Sequence, residues 1–311
     1  MNIFKSSMRT SIGIIAAVGL ISLYACSNTP SKTTPTETST KGTIQISADE
    51  SFKPVIDSQI KVFEASYPDA KIIAHYKPEA DCIKDLNNDS IRMIFITRPL
   101  SREEEEIMKA KLGYVPVYGK LASDAIAVIV NKESKDSIFD MADMRSLVKG
   151  TSGYKYKVVL DGLSSTSTVR YVIDSLAKGQ ALGSNVVAAT SSQGVLDYVS
   201  KNNDAIGLLG VSWIGNKEDT EQTSFLKKVN IASLQCTICQ PTAYTKPYQA
   251  NIAMKRYPMV RGLYYILKEN YDGLGGGFAN FLIYERGQLI FKRAYLFPAR
   301  MSFEVRSTKI N

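Results

Sequence analysis

From residue 43 the chain alternates two hydrophobic rhythms. Short apolar runs rich in β-branched residues read as strands: TIQIS (43–47), KIIAHY (71–76), IRMIFIT (91–97), ASDAIAVIVN (122–131), YKVVLDG (156–162) and AIGLLGV (205–211). Between them the apolar spacing widens to that of a helix face. FKPVIDSQIKVFEASY (52–67) places apolar residues at 52, 55, 56, 60 and 63. ADCIKDL (80–86) starts a helix, SREEEEIMKAKL (101–112) opens on a serine cap with acids in its first turn, and FDMADMRSLVKG (139–150) closes on Gly150. SQGVLDYVSKNN (192–203) is a further helix. YQANIAMKRYPMVRGLYYIL (248–267) reads as two strand-like runs around Tyr257-Pro258. The segment 273–300 reads as a glycine-rich entry into a helix, a second short helix and an irregular end. Strands alternating with helices predict an α/β fold with mainly parallel sheets. A length of 311 residues suggests two domains or lobes.

The N-terminus obeys different rules. Residues 1–25 carry Lys5 and Arg9, then the apolar run IGIIAAVGLISLYA, and read as a signal peptide that stops at Cys26. LYAC resembles a lipobox, which implies a lipid on Cys26. Residues 26–41, CSNTPSKTTPTETSTK, have the Ser/Thr/Pro composition of a flexible tether. This predicts an exported, lipid-anchored protein on the periplasmic face of a bacterial membrane. Losing Lys5 and Arg9 lowers the net charge from +8 to +6. No Lys/Arg run of nucleic-acid type is present, so small anions fit that charge better than nucleic acid. Cys236 and Cys239 form a C-x-x-C that does not open a helix after a strand; it reads as incidental or as a structural loop clip. His75 is the single histidine and falls in a strand pattern, so no metal site is expected.

One stretch carries more polar chemistry than folding asks for. DGLSSTSTVRYVIDSL (161–176) crowds Ser164, Ser165, Thr166, Ser167 and Thr168 ahead of the helical stripe Val169, Val172, Ile173, Leu176. One helix cap needs one hydroxyl. Five of them fit either a solvated Ser/Thr turn or a grip on something outside the chain.

Several segments, taken in order, resemble the phosphate-specific substrate-binding proteins of ABC importers (PstS-like). ESFKPVID is similar to the family's first loop and helix, TRPLSREEE to its Ser-x-x-Pro-Leu-Ser segment, SDAIAVIVNKES to its crossover strand, and SSTS (164–167) to its phosphate loop. SQGVLDYVSKNNDAIGLLGV, YPMVRGLYYIL and GGGFANFLIYERGQLIFKRAYLFPA follow in the family's order. The resemblance covers about residues 42–302. It implies a two-lobed periplasmic-binding-protein type II fold, with hinged α/β lobes and a central ligand cleft. Lobe 1 would comprise 42–121 plus 251–311, and lobe 2 would comprise 122–250. It also implies capture of inorganic phosphate or a related oxyanion, delivery to an ABC importer permease, a monomer, no cofactor and no catalysis.

The site expected from that resemblance combines Ser51 and Phe52 at one helix start, Ser164, Ser165, Thr166 and Ser167 at another, and Arg98 after a buried strand. Helix N-termini and hydroxyls donate to an oxyanion, and a guanidinium grips it with two parallel bonds. Arg98 has a competing reading as a partner of the acidic run 103–106. Glu79, Ala80, Asp161, Arg170 and Gln193 are weaker candidates for the cleft edge. YKPEAD (76–81) departs from the Gly/Ser-rich family loop, and the aspartate that accepts the ligand's proton in many members is missing beside Thr97-Arg98. Asp49, Glu79 or Asp161 could replace it. The departure also motivates an alternative: a PstS-like interaction or signalling lipoprotein that has lost anion transport. A third class, an enzyme, lacks a nucleophile elbow, a P-loop lysine or a metal cluster in the sequence.

Overall fold

The computed structural model describes residues 37–162 and 164–300. The expected signal peptide, Cys26 and the tether up to residue 36 lie outside the described residues. Composition groups residues 37–41 with the tether, but they fold onto the body. Thr38 and Lys41 form a bridge, and the Glu37 carboxylate accepts from Leu274 N at 3.2 Å. Among the described residues no helix is long and apolar enough to cross a membrane.

Among the described residues, thirteen strands are interspersed with helices. They are β1 Gly42–Asp49, β2 Ala70–Lys77, β3 Ile91–Ile96, β4 Val117–Asn131, β5 Ile138–Phe139, β6 Lys157–Leu160, β7 Val186–Ala188, β8 Ala205–Gly210, β9 Val229–Ile231, β10 Ser233–Gln235, β11 Tyr244–Thr245, β12 Val260–Leu267 and β13 Phe297–Pro298. A continuous hydrogen-bonded path runs β2-β1-β3-β12-β4-β8-β6-β7. β1 is parallel to β2 and β3, while β6 is parallel to β7 and β8. The two parallel groups are joined through antiparallel β12 and β4. β4 is the longest strand because it serves both groups. Val117–Ala125 pair with β12, and Ile126–Val130 pair with β8. Ile252, Tyr257 and Met259 pack with the β8 side, and the chain re-enters the β1 side at Val260.

The apolar residues explain the layers. One core runs along a single face of the whole sheet, from Ile46 and Phe63 through Ala127 to Val195 and Phe225. The opposite face carries two separate cores. Val128, Leu160, Val172 and Leu208 form one, and Ile94, Ile96 and Met108 form the other. Alternation along β4 sends Ala127 and Ile129 to the shared core and Ile126, Val128 and Val130 to the opposite face, as strand pleating requires.

Helix boundaries follow local chemistry. Lys53–Ser66 carries Pro at its start and buries Val55, Ile56, Ile60 and Phe63. Arg102–Leu112 begins with a Ser101–Glu104 capping box and ends on left-handed Gly113. Met141–Lys149 has an Asp140–Asp143 capping box and ends on Gly150. The first of the two strand-like runs expected near the C-terminus is instead the helix Gln249–Ala253. There Gln249 Nε2 donates to Lys292 O and, at 2.7 Å, to Leu296 O, so tertiary contacts override a short ambiguous pattern. Cys236 and Cys239 are joined in a disulfide that clips the loop between β10 and β11. His75 hydrogen-bonds Gln45 Oε1 at 2.8 Å on the neighbouring strand.

Candidate functional site

Asp49 ends β1, Thr97 follows β3 and Asp161 follows β6, so the carboxyl ends of parallel strands from both sheet groups converge. The residues just beyond them supply hydroxyls. Ser51 sits in the turn Glu50–Phe52, and Ser167 opens the helix Ser167–Tyr171, which continues as a π-turn over Val172–Ala177. Thr166 is the N-cap: its Oγ1 accepts from Val169 N at 3.2 Å. Thr166 and Thr168 also donate to the two oxygens of Asp161, at 2.8 and 3.0 Å. Thus one hydroxyl of the five caps the helix and two of them hold a buried aspartate. Ser165 adopts the left-handed conformation, φ 71°, uncommon for a residue with a Cβ. Its carbonyl accepts from Ala80 N at 3.0 Å on the β1 side of the molecule.

At the centre lies Arg261, which the sequence reading did not single out. Its side chain is 4% exposed. Nε donates to Asp124 Oδ2 at 2.8 Å, Nη1 to Ser167 Oγ at 2.8 Å, and Nη2 to Ser51 Oγ at 3.0 Å. The guanidinium carbon lies 5.1 Å from the centre of the Phe52 ring, in cation–π range. Ser51 Oγ donates in turn to Asp49 Oδ1 at 2.6 Å, and it stands 3.3 Å from Ser167 Oγ. One guanidinium therefore ties together the hydroxyls of two helix starts from opposite parts of the sheet. Arg261 and Asp124 are directly opposed in the β12–β4 ladder. Gly210, at the end of β8, leaves room for this cluster. A Cβ there would lie 3.0 Å from Arg261 Nη2 and 3.1 Å from Ser51 O.

Electrostatics follow burial. Asp49 is pushed above the carboxylate range by loss of solvent, partly offset by Arg261. Its Oδ2 has no hydrogen-bond partner among the described residues. Burial and the neighbouring Asp49 raise Asp161 to about 6. Burial opposes the charge on Arg261, but Asp124 and Asp49 hold the guanidinium protonated.

The remaining candidates surround this cluster. Glu79 is 2% exposed and accepts from Thr97 N at 2.8 Å, from the Thr97 hydroxyl, and from Arg170 Nε at 2.7 Å. Burial alone would raise its pKa; the Arg170 charge and the Thr97 bonds overcome burial and hold it low. Arg98 does not reach the cluster. Its two terminal nitrogens grip Glu104 at 2.7 and 2.8 Å, the competing pairing with the acidic run. Arg98, Arg170, Glu79, Ala80, Ser164 and Ser165 instead border a cavity of about 340 Å³ beside the cluster. Gln193 lines a different cavity, with Lys53 and Trp213. Its neighbour Ser192 donates from N and Oγ to the Glu50 carboxylate, the Oγ bond measuring 2.7 Å. Among the described residues no group of metal ligands is assembled.

Half of the signal for Arg261 was legible, its parity on the strand though not its partner. In β12 it shares the buried parity with Leu263 and Tyr265. An arginine on an apolar face needs a buried acid, and Asp124 stands in the same position on β4.

Two groups of parallel strands joined by antiparallel β12 and β4, with residues converging at the strand ends, are the architecture of the periplasmic-binding-protein fold. The match of residues 33–286 to the PBP superfamily domain places the chain in that superfamily. Among solved structures, the chain is similar to a protein from Clostridium perfringens assigned as a phosphate ABC transporter substrate-binding protein, solved with bound phosphate. The two are 19% identical with a TM-score of 0.68, over 83% of this chain and 100% of that one. It is also similar to an ABC-type phosphate transport receptor from Vibrio cholerae, at 17% identity and a TM-score of 0.59, over 82% and 99% of the chains. The regulatory domain of CcmR from Synechocystis PCC6803, in complex with 2-PG, shares the fold at 11% identity and a TM-score of 0.52, over 78% and 96%. Among curated proteins no relative matches. These likenesses establish architecture; the ligand has to be argued from the residues.

Proposed function

We propose that this protein is an extracytoplasmic solute-binding lipoprotein that captures an inorganic oxyanion, phosphate in particular, for an ABC importer. The observation that carries the reading is Arg261. A buried guanidinium sits between Ser51 Oγ and Ser167 Oγ, at two helix starts from opposite sides of the sheet. A tetrahedral oxyanion taking the place between them would receive bonds from Arg261, Ser51, Ser167 and Thr168. Charge-assisted bonds of this kind contribute about 1.5–3 kcal/mol each, and micromolar binding needs about 8 kcal/mol in total.

The acids set the protonation of the guest. Asp49, Asp124 and Asp161 crowd one arginine, so an anion enters only if protons are shared. Asp49, with its unpartnered oxygen, is the acceptor for a proton on the ligand, the role left open by the missing family aspartate. The hinge falls where β4 changes partners, at Ala125–Ile126, and where the chain returns at Met259–Val260. That hinge moves the expected lobe boundaries, 121/122 and 250/251, to 125/126 and 259/260, because Ile252, Tyr257 and Met259 pack with the β8 side. A lipid on Cys26 holds the monomer at the membrane, beside its permease.

Titration calorimetry and thermal unfolding with phosphate and with sulfate test the reading. Phosphate at 100 times its dissociation constant adds about 2.7 kcal/mol of stability. An absence of heat and of thermal shift with every oxyanion tried rejects it. Labelling with a radioactive fatty acid tests the anchor, and Cys26→Ser abolishes the label.

One observation favours a second reading, a module that signals or assembles without transport. Glu50 and Glu79 already occupy donors across the cleft. Partners captured equally with and without phosphate would support it.

A further inference from the structure

On one face of the sheet the apolar core is continuous across both groups of strands. On the other face the two cores are separate, and polar contacts bridge them. The bridge includes one backbone bond and one side-chain cluster, made side by side. Ala80 N donates to Ser165 O, and the Arg170 guanidinium spans Glu79 Oε2 at 2.7 Å and Thr97 Oγ1 at 2.6 Å. Ala80, Ser165, Glu79 and Arg170 all belong to the wall of the cavity of about 340 Å³. Glu79 lines the cavity while accepting from Thr97 N at 2.8 Å, at the end of β3. Thr166 does the same, lining the cavity while holding Asp161.

Resting on the oxyanion reading, we propose that Glu79–Arg170 is a gate between the cavity and the buried cluster, and that an anion passes it by replacing the Glu79 carboxylate on Arg170. The exchange suits the chemistry of the pair. A carboxylate and a phosphate oxygen make the same bidentate use of a guanidinium. The Arg170 side chain is 40% exposed, whereas Glu79 is 3% exposed, so the arginine meets the arriving anion first. Asp174 stands 3.6 Å from Arg170 Nη1 and receives the guanidinium as it leaves Glu79. Arg98, also on the cavity wall, stays on Glu104 and adds positive potential without being consumed. Apolar Ile83, Val169 and Ile173 complete the wall and give an anion no place to stop.

Two measurements on the purified protein test this. The first uses no anion: hydrogen exchange in segments 78–98 and 164–174, for wild type, Glu79→Gln, Arg170→Gln and the double variant. Each single change speeds exchange in both segments about tenfold, and the double change adds nothing further. Wild-type protection in both single variants overturns the gate. So does a double variant whose effect is the sum of the singles. The second is stopped-flow binding of inorganic phosphate. Arg170→Gln raises the dissociation rate about tenfold and speeds association as well. Slower association with an unchanged dissociation rate overturns the gate in favour of simple electrostatic steering. Should wild type bind no phosphate, the oxyanion reading fails, while the exchange data still decide whether the pair holds this face closed.

Discussion

Arg261 and Arg170 each join the two sides of the molecule, but they do so in opposite surroundings. Arg261 is enclosed, paired with Asp124 and bonded to two serine hydroxyls; Arg170 is half-exposed at a cavity and shares Glu79 with Thr97. Removing one member of a buried pair strands the other's charge without solvent. At a wetter site, water compensates for much of the loss. The enclosed arginine is therefore built to hold, and the half-exposed one to let go.

The largest effect that separates the two is expected from Arg261→Met. It strands Asp124 and costs about 3–5 kcal/mol by urea unfolding. It also abolishes the thermal shift with phosphate. Equal loss from Arg170→Met would erase the distinction. Next comes pH. Asp161 and Glu50 are both raised to about 6 by burial. Between their unfolded values and about 6 the folded state holds more protons than the unfolded one. Stability therefore falls as pH rises through that window, by on the order of 2 kcal/mol per group. Unfolding at pH 4.5, 6 and 7.5 reads the slope, and Asp161→Asn flattens it. Glu104 works in the other direction. Its carboxylate is held near 2 by Arg98, so its contribution is present above its unfolded value and disappears as pH falls towards 2. Gly210→Ala is smaller, costing about 1–3 kcal/mol through overpacking against Arg261, with phosphate affinity lost in parallel. Smallest is Arg98→Ala. Its ion pair with Glu104 is about a third exposed, so the change costs at most ~1 kcal/mol. It leaves phosphate binding in place; loss of binding would return Arg98 to the ligand set.

The elements were legible because each is set by local periodicity and caps. Ser101 with Glu104, Asp140 with Asp143, and Gly113 and Gly150 are short-range signals that fix the ends of two helices. The hydroxyl cluster at 164–168 was legible too, because five caps exceed what one helix uses. The centre was harder. Arg261 meets residues 137, 94 and 210 positions away, and no local pattern states which strands will be neighbours. Arg98 drew attention as a charge after a buried strand, yet an acid six residues on captured it.

The uninterrupted apolar layer that runs under both halves constrains how this body can breathe. Under the proposed hinge, a clamshell glued along one rim resists twisting and sliding and gapes at the other rim. An anion captured as proposed would enter at that mouth, and the stiffness of the rim, set by packing around Phe63, Ala127 and Val195, would govern how often it yawns.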